Sequence, residues 1–152
     1  GLQHAQAVGG RLLRQIARGG WYVIDDSYNA NPGSTAAAIA TLALQSGERW
    51  LVLGDMAELG ADAPTLHATI GREARAAGID RLFAVGALSA RAAQAFGERA
   101  QHYDDQAALV HALRERLHAG VSVLVKGSRS SRMEHVVAAL LDGDGGGARH
   151  AA

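Results

Sequence analysis

The sequence predicts an α/β domain: a mostly parallel sheet with helices on both faces and an antiparallel strand at its N-terminal edge. Three observations carry that expectation. Short apolar runs alternate with helix-patterned segments, one pair about every 30 residues or less. The run Val121–Val125 is apolar throughout, as suits a strand buried on both faces. Two strand-like runs flank Gly19-Gly20, which suggests an antiparallel hairpin at the start.

Taken in order, residues 1–10 are small and polar and read as a linker from upstream domains. The domain itself is expected over 11–142. Arg11–Ile16 is a short strand or a helical turn, and Trp21–Asp25 is β-branched and aromatic, a strand that stops at Asp25-Asp26. Asn31 or Ser34 can cap the next helix, with Pro32 tolerated in its first turn. That helix reaches about Leu44 and is closed by Gly47. Arg49–Leu53 is the next strand, ending in Gly54-Asp55.

Asp62 or Thr65 can cap a helix through Ala77, whose apolar positions Leu66, Ile70 and Ala74 recur at helical spacing. Leu82–Val85 forms a strand, Ser89–Phe96 a helix, and Gln101–Tyr103 a short strand. Asp104 or Asp105 then caps a helix carrying Leu109, Val110, Leu113 and Leu117. After Val121–Val125 the last helix shows Met133, Val136, Val137, Leu140 and Leu141 on one face. Residues 143–152 are glycine-rich and are expected to be a flexible tail.

Composition narrows the function. The 152 residues hold 15 Lys plus Arg and 15 Asp plus Glu, so the formal net charge is zero and no basic run marks a nucleic-acid partner. There is no cysteine, which excludes disulfides, thiolate metal sites and cysteine nucleophiles and fits a reducing cytosol. No apolar run approaches the ~18–20 residues of a membrane span, and residues 1–15 lack a signal-peptide core. The seven histidines have no zinc spacing, since His111 and His118 lie about two helical turns apart. Nothing suggests an obligate oligomer, and a monomer is expected. Neither a nucleophile elbow nor a Gly-rich phosphate loop occurs, so the chain has no triphosphate cradle of its own.

In a parallel sheet, ligands sit outside the carboxyl ends of the strands. The residues expected there are Asp25, Asp26, Tyr28, Asn29, Asn31, Gly54, Asp55, Lys126, Ser128 and Arg129. Carboxylates at a strand end can accept from ribose hydroxyls or meet a cation; a solvated turn is the plainer alternative. Asn29 and Asn31, the only asparagines in the chain, can read a base edge or tie the loop to itself. Lys126-Gly127-Ser128-Arg129 offers two cations and a hydroxyl before a helix, a plausible anion site. A lone helical His67 is more often a surface or packing residue than a reactive one.

Together, DDSYNANPGS, LGDMAELG with a later His, and VKGSR before a Met-Glu helix start resemble the Mur ligase family, over about Gly10 to Leu141. Thr35 departs from the Met usual after that serine. The branch most like it joins D-alanyl-D-alanine to UDP-N-acetylmuramoyl-tripeptide in the bacterial cytoplasm. The resemblance implies a Rossmann-like three-layer domain, third of three, that closes over ATP and dipeptide and is inactive alone. ATP and Mg2+ would be held mainly by the absent central domain. It further implies nucleotide contacts from Asp26, Tyr28, Asn29 and Asn31, and substrate contacts from Lys126, Ser128 and Arg129. Asp25, Asp55, Glu58 and His67 would lie at the cleft edge without a specified role. No catalytic residue and no metal ligand is assigned to this domain. A stand-alone Rossmann-like module for a nucleotide or small acid is the alternative. A related amide ligase, of the folylpolyglutamate or MurE kind, would carry different residues in place of SYNANP and KGSR.

Overall fold

The computed structural model describes residues 5–8 and 12–151, with side chains described over 13–142. Among the described residues, seven strands form one sheet in the order β1-β2-β3-β7-β4-β5-β6. They are β1 (Ala5–Val8), β2 (Leu12–Ile16), β3 (Tyr22–Asp26), β4 (Arg49–Gly54), β5 (Arg81–Val85), β6 (Ala100–Tyr103) and β7 (Ser122–Lys126). The pairs β1–β2 and β2–β3 are antiparallel, and the pairs from β3 through β7, β4 and β5 to β6 are parallel. The helices are α1 (Pro32–Ala43), α2 (Ala63–Ala76), α3 (Ser89–Phe96), α4 (Gln106–Arg116) and α5 (Glu134–Ala151).

Alternation along the central strands sorts the core into two halves. Ile24, Leu51, Leu53, Leu82 and Leu124 face α1, α2 and α3. Their neighbours Val23, Val52, Phe83, Val123 and Val125 face α4 and α5. Both faces are covered, so these strands are apolar without a break, which is why β7 was legible as a buried strand. No helix of the described residues is long and apolar enough to cross a membrane.

Two expectations are corrected. Ala5–Val8, assigned to the linker, is the edge strand β1, paired with β2 in the register Ala5 to Gln15. Ladder pairing uses the backbone, which every residue carries, so small and polar side chains gave no strand signal. Helix α5 continues to Ala151, through the segment expected as a flexible tail. That expectation rested on the glycine content of 143–152; glycine lowers helix propensity but still carries the N–H and carbonyl that the i→i−4 bonds use.

Helix starts follow local chemistry. Asn31 and Ser34 form a reciprocal capping box on α1: Asn31 Oδ1 accepts from the Ser34 N–H at 2.8 Å, and Ser34 Oγ accepts from the Asn31 N–H at 3.0 Å. Asp105 caps α4 by accepting from the Ala108 N–H at 2.8 Å. Asp62 stands at the N-cap of α2 but makes no side-chain cap bond, because a 3-10 turn over Gly60–Asp62 feeds straight into the helix.

Register then decides where the site lies. Asp26 pairs with Lys126 across β3 and β7, Leu53 with Lys126 across β7 and β4, and Gly54 with Val85 across β4 and β5. Four strands therefore end level, and their loops leave from one edge. Two glycines let the loops after β4 and β7 close on each other. A Cβ at Gly127 would stand 2.7 Å from Met133 Cγ and 3.3 Å from the Gly54 Cα, and one at Gly54 would stand 2.8 Å from Met133 Sδ.

Candidate functional site

The first loop, from Ser27 to Asn31, is shaped by its own side chains. Asp25 Oδ1 accepts from the Ser27 N–H at 3.0 Å and from the Ser27 hydroxyl at 2.5 Å. Asn29 Oδ1 accepts from the Ala30 N–H at 2.9 Å, and Asn31 is spent on the capping box. Of the two readings left open for the asparagines, their side-chain oxygens take the loop-tying one.

Asp26 does something different. Its Oδ2 lies 2.8 Å from Lys126 Nζ, and its side chain keeps 21% of its surface exposed. Lys126, expected to face a substrate, is 2% exposed, and its ammonium also donates to the Asn29 carbonyl at 2.9 Å. A buried ammonium must find partners, and β7 at the sheet centre supplies them from the neighbouring loop. Ser128, also expected to face a substrate, is 3% exposed. Its Oγ accepts from the Ala57 N–H at 2.7 Å and donates to the Ala30 carbonyl at 3.3 Å, while its N–H donates to the Asp55 carbonyl at 3.1 Å. One residue thus bolts three loops together.

Arg129 is the outward-facing member of that run. Its guanidinium lies over the ring of Tyr28, itself 72% exposed, and Nη1 is 3.4 Å from the phenol oxygen. With Asp25, Asp26, Ser27, Ser130, Arg132 and Glu134 these two line an open cleft of about 810 Å³. Asp26, Tyr28 and Arg129 are therefore brought together, from opposite ends of the chain. Arg132 and Glu134 were missed. Arg132 adopts a left-handed conformation at φ 54°, and Gln106 Nε2 holds the carbonyls of Ser131 and Arg132. The repeat of Arg three residues after Arg129 was the one available signal.

Beside this cleft, Asn29, Asn31, Glu58, Ser128 and Arg129 contribute to a second open depression of about 500 Å³. Glu58 is exposed there, at a left-handed φ of 62°. Asp55 lies on the same sheet edge but faces a third depression, of about 370 Å³, with Gly86 and Asp105. Its carboxylate is already used: Oδ1 accepts from the Ser89 N–H at 2.7 Å and Oδ2 from the Leu88 N–H at 3.2 Å, at the start of α3.

His67 is not at the cleft edge. It is fully buried, its Nε2 accepts from the Met56 N–H at 3.0 Å, and its Nδ1 lies 2.7 Å from the Ala63 carbonyl. The ring therefore carries its hydrogen on Nδ1 and pins the LGDMAELG loop to α2. Likewise, the space beside Gly54 is filled by Met133 of this chain, leaving none for a ligand. Among the described residues, no three His, Cys, Asp or Glu side chains gather into a cluster able to hold a metal ion.

The family model described as "Mur ligase, glutamate ligase domain" matches residues 10–129. The chain belongs to the Mur ligase family. It is 45% identical over 142 residues to the UDP-N-acetylmuramoyl-tripeptide–D-alanyl-D-alanine ligase of Escherichia coli K12, covering 92% of this chain and 31% of that protein. It is 36% identical over 149 residues to the ligase of the same name from Bacillus subtilis 168, covering 93% of this chain and 33% of that one. Among solved structures it is similar to MurF from Acinetobacter baumannii, with TM-score 0.78 at 32% identity, covering 93% of this chain and 32% of that one. MurF from Thermotoga maritima in complex with ADP gives TM-score 0.75 at 27% identity, covering 90% of this chain and 31% of that one. The chain spans about a third of the length of the curated relatives it matches. These Mur ligase relatives share its Rossmann-like sheet.

Proposed function

We propose that this chain is the closing domain of an ATP-dependent ligase that adds D-alanyl-D-alanine to UDP-N-acetylmuramoyl-tripeptide, in peptidoglycan precursor synthesis in the bacterial cytoplasm. The observation that carries this reading is the 45% identity, over 92% of the chain, to the E. coli ligase of that name. The ADP complex of the Thermotoga maritima relative supports a nucleotide as one substrate.

In the proposed reaction the tripeptide carboxylate takes the terminal phosphoryl group of ATP, releasing ADP and forming an acyl phosphate. The dipeptide amine attacks the acyl carbon, loses a proton, and displaces inorganic phosphate. Mg2+, which neutralises phosphate charge in such transfers, would be held mainly by the central domain, as the family resemblance implies. The part played by this chain is to orient two substrates and to exclude water on closure.

Within that reading, Asp26 accepts from a ribose hydroxyl, and Tyr28, Asn29 and Asn31 line the nucleotide or phosphate side. Arg129 takes the dipeptide carboxylate, which suits a planar fork of N–H donors. Ser128 contributes by holding the three loops in register. Asp25 and Asp55 shape the loops, and Glu58 remains an exposed neighbour of the second depression.

The test compares the isolated chain with the complete three-domain protein that carries it. Assayed for ADP release with both substrates present, the complete protein ligates and the isolated chain does not. Ligation by the chain alone, or none by the complete protein with these substrates, refutes the proposal. Tight ATP binding to the isolated chain in calorimetry would instead favour a stand-alone nucleotide module.

A further inference from the structure

We infer that Lys126 is a positioning residue for the nucleotide: it acts through Asp26 and the Asn29 carbonyl and does not touch the dipeptide. The inference rests on the proposed role of Asp26 and moves Lys126 from the dipeptide side of the cleft to the nucleotide side.

Lys126 has nowhere else to act. Its backbone is paired on both sides, with Asp26 on β3 and Leu53 on β4, so it sits in the middle of the sheet. The side chain is 2% exposed, and the ammonium has two oxygen partners within 2.9 Å. The other charged groups of the adjoining cleft are Asp25, Arg129, Arg132 and Glu134. None of them pairs with Lys126. Arg129, only three residues on, is by contrast exposed.

The consequence falls on Asp26. Lys126 takes Oδ2, and among the described residues no other group bonds to this carboxylate, so Oδ1 is left for a ligand. A carboxylate clamped by one oxygen has little rotational freedom to lose when the other accepts a hydrogen bond. The second ammonium bond fixes the Asn29 carbonyl, three residues further along the same loop. Lys126 thus sets both the acceptor and the path of the loop that carries it. The arrangement is a second layer behind the ligand contacts, of the kind that holds a reactive constellation in place.

The experiment uses the complete ligase, with steady-state kinetics against ATP and D-alanyl-D-alanine. Asp26→Asn and Lys126→Gln are each expected to raise KM for ATP roughly tenfold, the worth of one charge-assisted hydrogen bond, with KM for the dipeptide unchanged. In the Asp26→Asn background, Lys126→Gln should add less than about twofold, because a residue acting through another is not additive with it. A matching rise in the dipeptide KM, or full additivity, overturns the inference. If Asp26→Asn raises KM for ATP but Lys126→Gln does not, the Asp26 reading stands and the positioning role fails. If Asp26→Asn itself has no effect, both fall. Should Lys126→Gln not fold, Asp26→Asn with Lys126→Met removes both charges together and leaves no unpaired ion. Its KM for ATP should then equal that of Asp26→Asn alone, and a much larger value overturns the inference.

Discussion

Arg129 and Tyr28, 101 residues apart in sequence, meet at the cleft mouth: the guanidinium carbon is 5.0 Å from the ring centroid and Nη1 is 3.4 Å from the phenol oxygen. The planar cation rests on a planar ring, and Arg129 lines the cleft. In the complete ligase, Arg129→Ala is expected to raise KM for D-alanyl-D-alanine by roughly 10- to 100-fold, the range for charged hydrogen bonds, with little change for ATP. Steady-state kinetics checks this. Equal effects on both substrates would remove the dipeptide role.

The ring itself can be separated from its hydroxyl. Tyr28→Phe keeps the surface under the guanidinium and should leave the dipeptide KM within about twofold. Tyr28→Leu removes the aromatic face, worth about 0.5–1 kcal/mol at an exposed site, and should raise it by about two- to fivefold. The reverse order would mean that the phenol oxygen, rather than the ring face, orients Arg129.

Ser128 links three loops through one hydroxyl and one N–H. Ser128→Ala strands the Ala57 N–H and the Ala30 carbonyl and should cost about 2 kcal/mol in urea unfolding. In the complete ligase it should raise KM for both substrates, unlike any change confined to Arg129 or Asp26. A variant of unaltered stability would show that these loops do not depend on the bond.

His67→Ala removes the acceptor of the Met56 N–H and the donor to the Ala63 carbonyl, and opens a hole in a fully buried position. The expected loss is about 2–4 kcal/mol, combining a cavity with the stranded Met56 N–H. Equilibrium denaturation measures it. A loss below about 1 kcal/mol would contradict the structural role.

Gly71 and Gly60 make a paired test. A Cβ at Gly71 would stand 2.1 Å from the Ala92 carbonyl oxygen, where α2 packs on α3, so Gly71→Ala must push two helices apart. A loss of about 2–3 kcal/mol is expected from such overpacking. Gly60 has a left-handed φ of 69° but no neighbour within 4 Å of its Cβ, so Gly60→Ala should cost only the ~1 kcal/mol of that backbone conformation. Thermal unfolding of both variants gives the order, and a reversed order would place the helix contact elsewhere.

Much of the fold was legible because the signals are local. Helix α3 spans Ser89–Phe96 as its pattern implied, and Asn31 and Ser34, each a candidate cap, turn out to cap together. Apolar runs marked the central strands because both faces of the sheet are covered. Strand β1 escaped notice, since its ladder is made by a backbone that any sequence possesses.

The site divides along the same line. By itself the sequence determined which residues gather at the strand ends, because the register of a parallel sheet sends Asp26, Asp55 and Arg129 to one edge. It could not say which of them look outward. Lys126 and Arg129 are both cations in one tetrapeptide, yet one is buried on Asp26 and Asn29 and the other stacks on Tyr28. Ser128 and His67 turn inward for partners 71, 98 and 11 residues away. Those choices were made only by tertiary structure, because the cost of burying a polar group depends on what stands beside it in space, and spacing along the chain does not record that.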